Sequence, residues 1–329
     1  VPLFEKPAIA DLLGSARVVS VPMRVKFRGV THREAVLFEG PHGWTEWSPF
    51  LEYEDEEAAV WLRAALEFGF APAPRINKSA IYINATLAAV AAERVEEQLA
   101  AFGKFRTVKI KVAEPGQTLE DDLSRVRKVH ELYPAAKIRL DANGGFDIAN
   151  AIELAKELAI DSIDLEYFEQ PVKTIAELAE VRIKLARIGV KTAADESVRK
   201  VSDPLAVAHA NAADVLVVKA QPLGGISSAL DITREAKLAV TVSSALETSV
   251  GISMGLHLAA ALEVESFDAG LGTVALLADD VCEEPFIAEN SMLYVKRAVP
   301  SETKLQSLAA DSERTQWWHE RLKRCLEIV

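Results

Sequence analysis

Apolar and polar residues follow two rhythms along this chain. In the first fifty residues they alternate. VVSVPMRVKF (18–27) and HREAVLFEG (32–40) read as strands joined by a short turn at Arg28-Gly29, and GWTEWSPF (43–50) is a third extended segment with aromatics at alternate positions. EDEEAAVWLRAALEFG (54–69) opens on acids and closes on glycine, the start and stop signals of a helix. Pro72 and Pro74 separate this part from the rest. Strands followed by a helix predict a small α+β unit.

After that the pattern becomes a repeat. Short apolar runs recur at 81–84, 107–112, 137–141, 164–169, 191–195, 215–220, 240–244 and 267–270, roughly 24–30 residues apart. Helical periodicity fills most of the gaps, at 87–103, 119–134, 150–159, 174–189 and 227–239. Eight βα units at that period predict a (β/α)8-type barrel. An open doubly wound sheet is the alternative. It would need fewer strands and a glycine fingerprint after the first one, and 81–86 carries none. WWHERLKRC (317–325) reads as an amphipathic helix packing on the barrel or on the small unit.

Composition narrows the function. Of 329 residues, 50% are hydrophobic and 26% charged, and the formal net charge of −12 disfavours an extended nucleic-acid surface. Cys282 and Cys325 lack metal-ligand spacing and read as small apolar residues in a reducing compartment. There is no basic-then-apolar signal segment, and His257 interrupts the apolar stretch at 252–262. The expectation is a cytoplasmic protein that meets neither membrane nor nucleic acid.

In a barrel the chemistry belongs at the carboxyl ends of the strands. TVKIKVAE places Lys109 and Lys111 two apart, on one side of a strand whose valines and isoleucine face the helices. An inward lysine is costly unless paired or used, and a solvated edge strand is the competing reading. The next three strands end at Asp141 in LDANGG, Glu169 in EYFEQP, and Asp195 with Glu196 in AADES. Each acid alone could be a helix cap or a turn residue. Together, at the tips of adjacent staves, they would repel one another unless a divalent cation lay between them. The ligands are hard oxygens, which suits Mg²⁺, with Mn²⁺ as a substitute. Lys219, in DVLVVKAQPLGG, ends strand six, across the ring from Lys111. One lysine could remove the α-proton of a carboxylate substrate while the metal absorbs the developing charge. QPLGGIS (221–227) is either plain turn geometry or a helix N-terminus open to an anion. Ser243, Ser244 and Gly270, near the ends of strands seven and eight, are candidate contacts for a substrate carboxylate.

KIK, DANGG, FEQP, ADES and VVKAQPLGG, in this order and spacing, resemble the enolase superfamily in its muconate-lactonising subgroup. The first fifty residues and the short length resemble actinobacterial o-succinylbenzoate synthases. The resemblance implies an α+β capping domain over 1–80, a barrel over 81–270, and a C-terminal segment over 271–329 that completes the cap. It implies Mg²⁺ on Asp141, Glu169 and Asp195. It makes Lys111 the base and Lys219 a charged partner on the other face. Lys109, Asn143 and Glu196 become supporting groups, with cap loops at Arg28, Gly29 and Ser48–Phe50 shaping specificity. The implied reaction is a syn dehydration giving 2-succinylbenzoate for menaquinone. N-Succinylamino acid racemases, dipeptide epimerases and muconate cycloisomerases share the lysine pair. Asp268 in FDAG keeps the epimerases in view, and muconate cycloisomerases rank lower on metal and cap length. A barrel that binds a metal or ligand without catalysis is the alternative of another class.

Overall fold

The computed structural model describes residues 4–27, 29–199 and 203–329. After a short helix α1 (Ile9–Ser15), the alternating segments form an antiparallel sheet in the order β1 (Arg17–Phe27), β2 (Val30–Gly40), β3 (Gly43–Trp47). Helix α2 (Asp55–Phe70) covers it with a buried face that includes Trp61, Leu62 and Leu66. The helix lies close because Gly40 has no side chain: a Cβ there would stand 2.3 Å from the Gly69 carbonyl oxygen.

The repeat folds into a closed barrel. Strands β5 (Ala85–Leu87), β6 (Thr107–Lys111), β7 (Lys137–Asp141), β8 (Leu165–Glu169), β9 (Thr192–Ala194), β10 (Val215–Val218) and β11 (Ala239–Val242) pair in sequence order as one seven-stranded sheet, parallel throughout. Residues 266–270 supply the eighth stave. They meet β11 through parallel bridges Val240–Ser266 and Ser243–Gly270, and the first stave through Ile83–Ala269.

The first βα unit departs from the expected pattern. Residues 80–82 leave the barrel as β4 (Ala80–Tyr82), which pairs antiparallel with β12 (Met292–Tyr294). The stave therefore runs from 83 to Leu87, and the helix expected from 87 begins only at α3 (Val95–Ala100). Leu87, Val90, Val95 and Leu99 mimic a helical stripe, yet a strand end, a loop and one short helix bury them instead. The later crossover helices are α4 (Leu119–Leu132), α5 (Ile148–Ile160), α6 (Ile175–Ala186), α7 (Glu196–Arg199), α8 (Ala206–His209), α9 (Ile226–Ala236) and α10 (Ser249–Ala261). Thr118 with Asp121 and Thr174 with Glu177 form capping boxes that start α4 and α6.

All thirteen residues of α10 are buried, and it packs against β3 as well as the barrel. A helix apolar on every side needs cover all round. Among the described residues no helix is long and apolar enough to cross a membrane. Helix α11 (Glu302–Ser307) leads to α12 (Ser312–Ile328), which is longer than the sequence signal and packs on α2. There Trp318 meets Trp47 edge to face at 5.3 Å, and Arg324 pairs with Asp55 at 2.6 Å.

Candidate active site

Register brings the strand-end acids together. Lys111 pairs with Asp141 across β6 and β7, Asp141 with Glu169 across β7 and β8, and Glu169 with Ala193, two residues before Asp195. The three acids are shut off from solvent. Their oxygens meet three ammonium groups. Lys109 Nζ lies 3.0 Å from both Glu169 oxygens and 3.0 Å from Asp141. Lys111 Nζ lies 2.5 Å from Asp141 Oδ2 and 2.5 Å from Asn143 Oδ1, and Lys219 Nζ lies 2.6 Å from Asp195 Oδ2.

Local structure fixes each group. Arg125 of α4 donates to the carbonyls of Lys111 at 2.8 Å and Val90 at 2.6 Å, pinning the end of β6. Gln170, at φ 37°, accepts from the Asp195 and Ser197 amides at 3.1 Å each, tying the tip of β8 to that of β9. That link explains the amide in EYFEQP. Asn143 Nδ2 donates to Glu196 at 3.1 Å, and Arg199 holds Asp195 at 3.0 Å and Glu196 at 2.8 Å.

Burial and ion pairing set the proton affinities. Burial pulls the Lys109 ammonium down, but Asp141 and Glu169 override it and leave Lys109 well above its ordinary value. For Lys111 burial wins: aided by the Lys109 charge, it outweighs Asp141 and lowers the pKa. Burial and the charge of Asp141 push Glu169 up to about 7 against the pull of Lys109. Asp141 and Asp195 resist burial, because Lys109 and Lys111 in one case and Lys219 and Arg199 in the other hold them low.

A cavity of about 30 Å³ opens over this cluster, between Phe27 and Phe50 on the cap side and Ser243, Ser244 and Gly270 on the barrel side. Gly270 is small by necessity, since a Cβ would stand 2.7 Å from Ser243 Oγ. Ser244 Oγ donates inward to the Gly270 carbonyl at 2.8 Å. Gly29 sits on an exposed turn with φ 79° and is not part of the lining, and Arg28 lies outside the described residues.

Other candidates fall elsewhere. Asp268 is bound by Arg106 and Thr107, both at 2.8 Å, and lines a separate hollow of about 270 Å³. The N-terminus of α9 is taken by a side chain: Glu67 Oε1 accepts from the Ser227 amide at 2.9 Å. Gly224 and Gly225 make room for that contact, since Cβ atoms there would overlap Arg63 and Glu67. His257 is buried against Phe68 and bonds the Ser253 carbonyl.

Among the described residues, no three Asp, Glu, His or Cys side chains stand placed to hold a metal ion. Lys109 and Lys111 occupy the space between the acids. The donors nevertheless fit a hard cation in kind: three buried carboxylates, on adjacent staves, with no nitrogen or sulfur ligand among them.

The sequence did not point to Arg199, although its place four residues after Asp195 is a helical ion-pair spacing. Nor did it point to Arg33, Glu46, Gln221 and Glu247, which meet where β3 joins the barrel.

This barrel and strand-end arrangement define the class: the chain belongs to the enolase superfamily. It matches the family models described as enolase N-terminal domain-like over residues 18–69 and enolase C-terminal domain-like over 86–299. Its curated relatives include the o-succinylbenzoate synthase of Mycolicibacterium smegmatis, 49% identical over 323 residues and 98% of each chain. The o-succinylbenzoate synthase of Mycobacterium tuberculosis is 48% identical, covering 98% of this chain and 97% of that one. Among solved structures, muconate lactonizing enzyme from Pseudomonas putida shares the fold at a TM-score of 0.73 and 19% identity, over 90% of this chain and 98% of that one. The substrate-liganded L-Ala-D/L-Glu epimerase from Bacillus subtilis does so at 0.72 and 22%, over 87% and 96%.

Proposed function

We propose that this chain dehydrates 2-succinyl-6-hydroxy-2,4-cyclohexadiene-1-carboxylate to 2-succinylbenzoate, acting as a cytoplasmic carbon–oxygen lyase. One observation carries the reading. Lys111 and Lys219, on separate staves, line the same cavity as Asp141 and Asp195, with Glu169 buried beside them. Identity of 49% over 98% of an o-succinylbenzoate synthase supports it.

Lys111 acts as the base. Burial and the neighbouring Lys109 favour its free amine. It takes the proton from C1 of the ring. Hydroxide then leaves C6 on the same face and takes that proton back from Lys111, so water departs by syn elimination and the ring becomes aromatic. Lys219, which reaches Asp195 at 2.6 Å, faces the negative charge that builds on the substrate carboxylate. Asn143, Glu196 and Arg199 hold Lys111 and Asp195 in place. Asp141, Glu169 and Asp195 would hold Mg²⁺, or Mn²⁺ in its stead, once the lysines paired with them release them. When bound, the cation supplies positive charge at that same carboxylate.

Pockets for small molecules usually measure about 300–1,000 Å³. At about 30 Å³ the cavity is too small for the substrate as it stands, so its lining, which includes Phe27 and Phe50, must give way before substrate enters. In our reading Ser243, Ser244 and Gly270, which line the cavity, receive the succinyl arm.

The test is a steady-state assay on the cyclohexadiene substrate with Mg²⁺. Turnover is expected, and none would overturn the reading. Wash-in of deuterium at the α-carbon of N-succinylamino acids, without dehydration, would favour a racemase. Metal-dependent stability with no proton abstraction at all would favour a binding protein.

A further inference from the structure

Three charged side chains are shut away where cap strand β3 meets the barrel: Arg33, Glu46 and Glu247, at 2%, 0% and 5% exposure. Their partners are largely main-chain atoms. Glu46 Oε2 accepts from the amides of Thr248 at 3.1 Å and Gly251 at 3.0 Å and from the Thr248 hydroxyl at 2.6 Å. Its Oε1 accepts from Ser48 Oγ at 2.7 Å. Glycine at 251 permits this approach, since a Cβ there would lie 2.9 Å from Glu46 Cδ and 2.6 Å from Glu247 Cβ.

Glu247 Oε2 accepts from the Ala245 amide at 2.5 Å, and Arg33 Nε donates to the Ala245 carbonyl at 3.3 Å. Ala245 is thus held at both its polar atoms. Arg33 also donates to the Ser48 carbonyl and stands 4.4 Å from the Phe50 ring. Gln221 closes the network, accepting from the Ser48 amide at 3.2 Å.

The residue after Ala245 is strained. Leu246 has φ 65°, the left-handed region that a leucine rarely enters. Such a backbone persists only where its surroundings hold it. Ala245 and Leu246 line the cavity from the barrel side and Phe50 from the cap side. One buried cluster therefore fixes both walls. An apolar seam could join cap to barrel, but charges directed at particular amides join them in one register.

We infer that Arg33, Glu46 and Glu247 are positioning residues that hold Ala245–Leu246 and Phe50 in register and so set the space offered to substrate. The substrate named here rests on the proposed dehydration; the positioning of the loop does not. Two readouts on the full-length protein keep them apart. The first is amide exchange over residues 243–252, read without substrate. Glu46→Ala should speed exchange there at least tenfold while the barrel strands keep wild-type protection. Glu46→Gln, whose remaining oxygen can still accept from the Thr248 and Gly251 amides, should restore protection to within about threefold.

The second readout is the division between KM and kcat. Glu46→Ala should raise KM roughly tenfold or more with a smaller fall in kcat, and Glu46→Gln should recover most of it. A merely structural role would lower the folded fraction and leave KM alone. Should Glu46→Ala fail to fold, Arg33→Lys serves. It keeps the charge but loses the double reach to Ala245 and Ser48, and should show the same pattern in milder form. If the wild type does not dehydrate the substrate while loop exchange still responds, the positioning stands and the substrate reading falls. Unchanged exchange in the Glu46 and Arg33 variants overturns the inference, and so does an unchanged KM in an active enzyme.

Discussion

Two buried charge clusters lie close together in this molecule, and they are built differently. At the barrel mouth, acids meet ammonium groups on long flexible stems: Lys109 on Glu169 and Asp141, Lys111 on Asp141, Lys219 on Asp195. At the seam, Glu46 and Glu247 meet amides of the 245–251 segment that cannot move without the backbone. Side-chain ion pairs can exchange partners when a cation or a substrate carboxylate arrives. Amide-bound carboxylates cannot. The mouth is suited to chemistry and the seam to geometry.

The sharpest way to break that contrast is at the mouth. Lys111→Ala should lower kcat by roughly 10²–10⁴-fold, the usual worth of a general base. Lys219→Ala should lower it by roughly 10²–10³-fold, as for loss of a charge-stabilising donor. Both variants should keep the wild-type circular dichroism spectrum. A near-normal rate in Lys111→Ala would remove it as the base.

Metal removal comes next. Chelation should abolish turnover, and Mg²⁺ should restore it and raise the melting temperature. Asp195→Asn should lose most of that rise, whereas Glu46→Gln should keep it. An equal rise in all three proteins would place the cation elsewhere.

At the seam, beside the effects on exchange and KM, an effect on stability is expected that depends on pH. Burial, reinforced by Glu247, pushes Glu46 from 4.5 up to about 7. Between those values the folded protein keeps a proton that the unfolded chain has released. Glu46 therefore contributes less to stability as pH rises through this window, and the decline levels off above pH 7. Glu46→Gln removes the decline. Relative to wild type it should gain on the order of 3 kcal/mol between pH 4.5 and 7.5, measured by urea unfolding. A parallel pH profile for the two proteins would refute the buried acid's role.

The smallest effect belongs to Asp268→Asn. Its Arg106 partner is half exposed, so the pair contributes about 1 kcal/mol or less. Dehydration should stay within about twofold of wild type. A large change in KM would return Asp268 to substrate recognition, where the epimerase alternative needs it.

Much of the mouth was legible because a strand's period is two and its end is marked. Lys109 and Lys111 share a face by spacing alone, and Asp141, Glu169 and Asp195 each follow an apolar run. The expected barrel forms, with α4, α5, α6 and α9 close to the spans their periodicity predicts. The first unit was misread because Leu87, Val90, Val95 and Leu99 repeat at near-helical spacing without lying on one helix. Residues 81 and 82 read as part of the first stave because nothing local reveals that β12, some 210 residues later, claims them. The seam was invisible for the same reason. Glu46 lies 202 residues from Thr248, and an acid between aromatics in a half-buried strand carries no local sign of an amide partner so distant.

The pairing of α12 with the first sheet has a consequence for biosynthesis. Trp47 emerges from the ribosome early, but the ring that covers it, Trp318, follows some 270 residues later, as do Arg314 and its partnership with Glu34. Until the whole barrel has been translated, the first sheet and α2 lack the part of their cover that α12 supplies. Contacts so remote in sequence form slowly and leave apolar surface exposed meanwhile. The nascent chain should therefore depend on chaperones through most of its synthesis and become protease-resistant at its amino end only after α12 has docked.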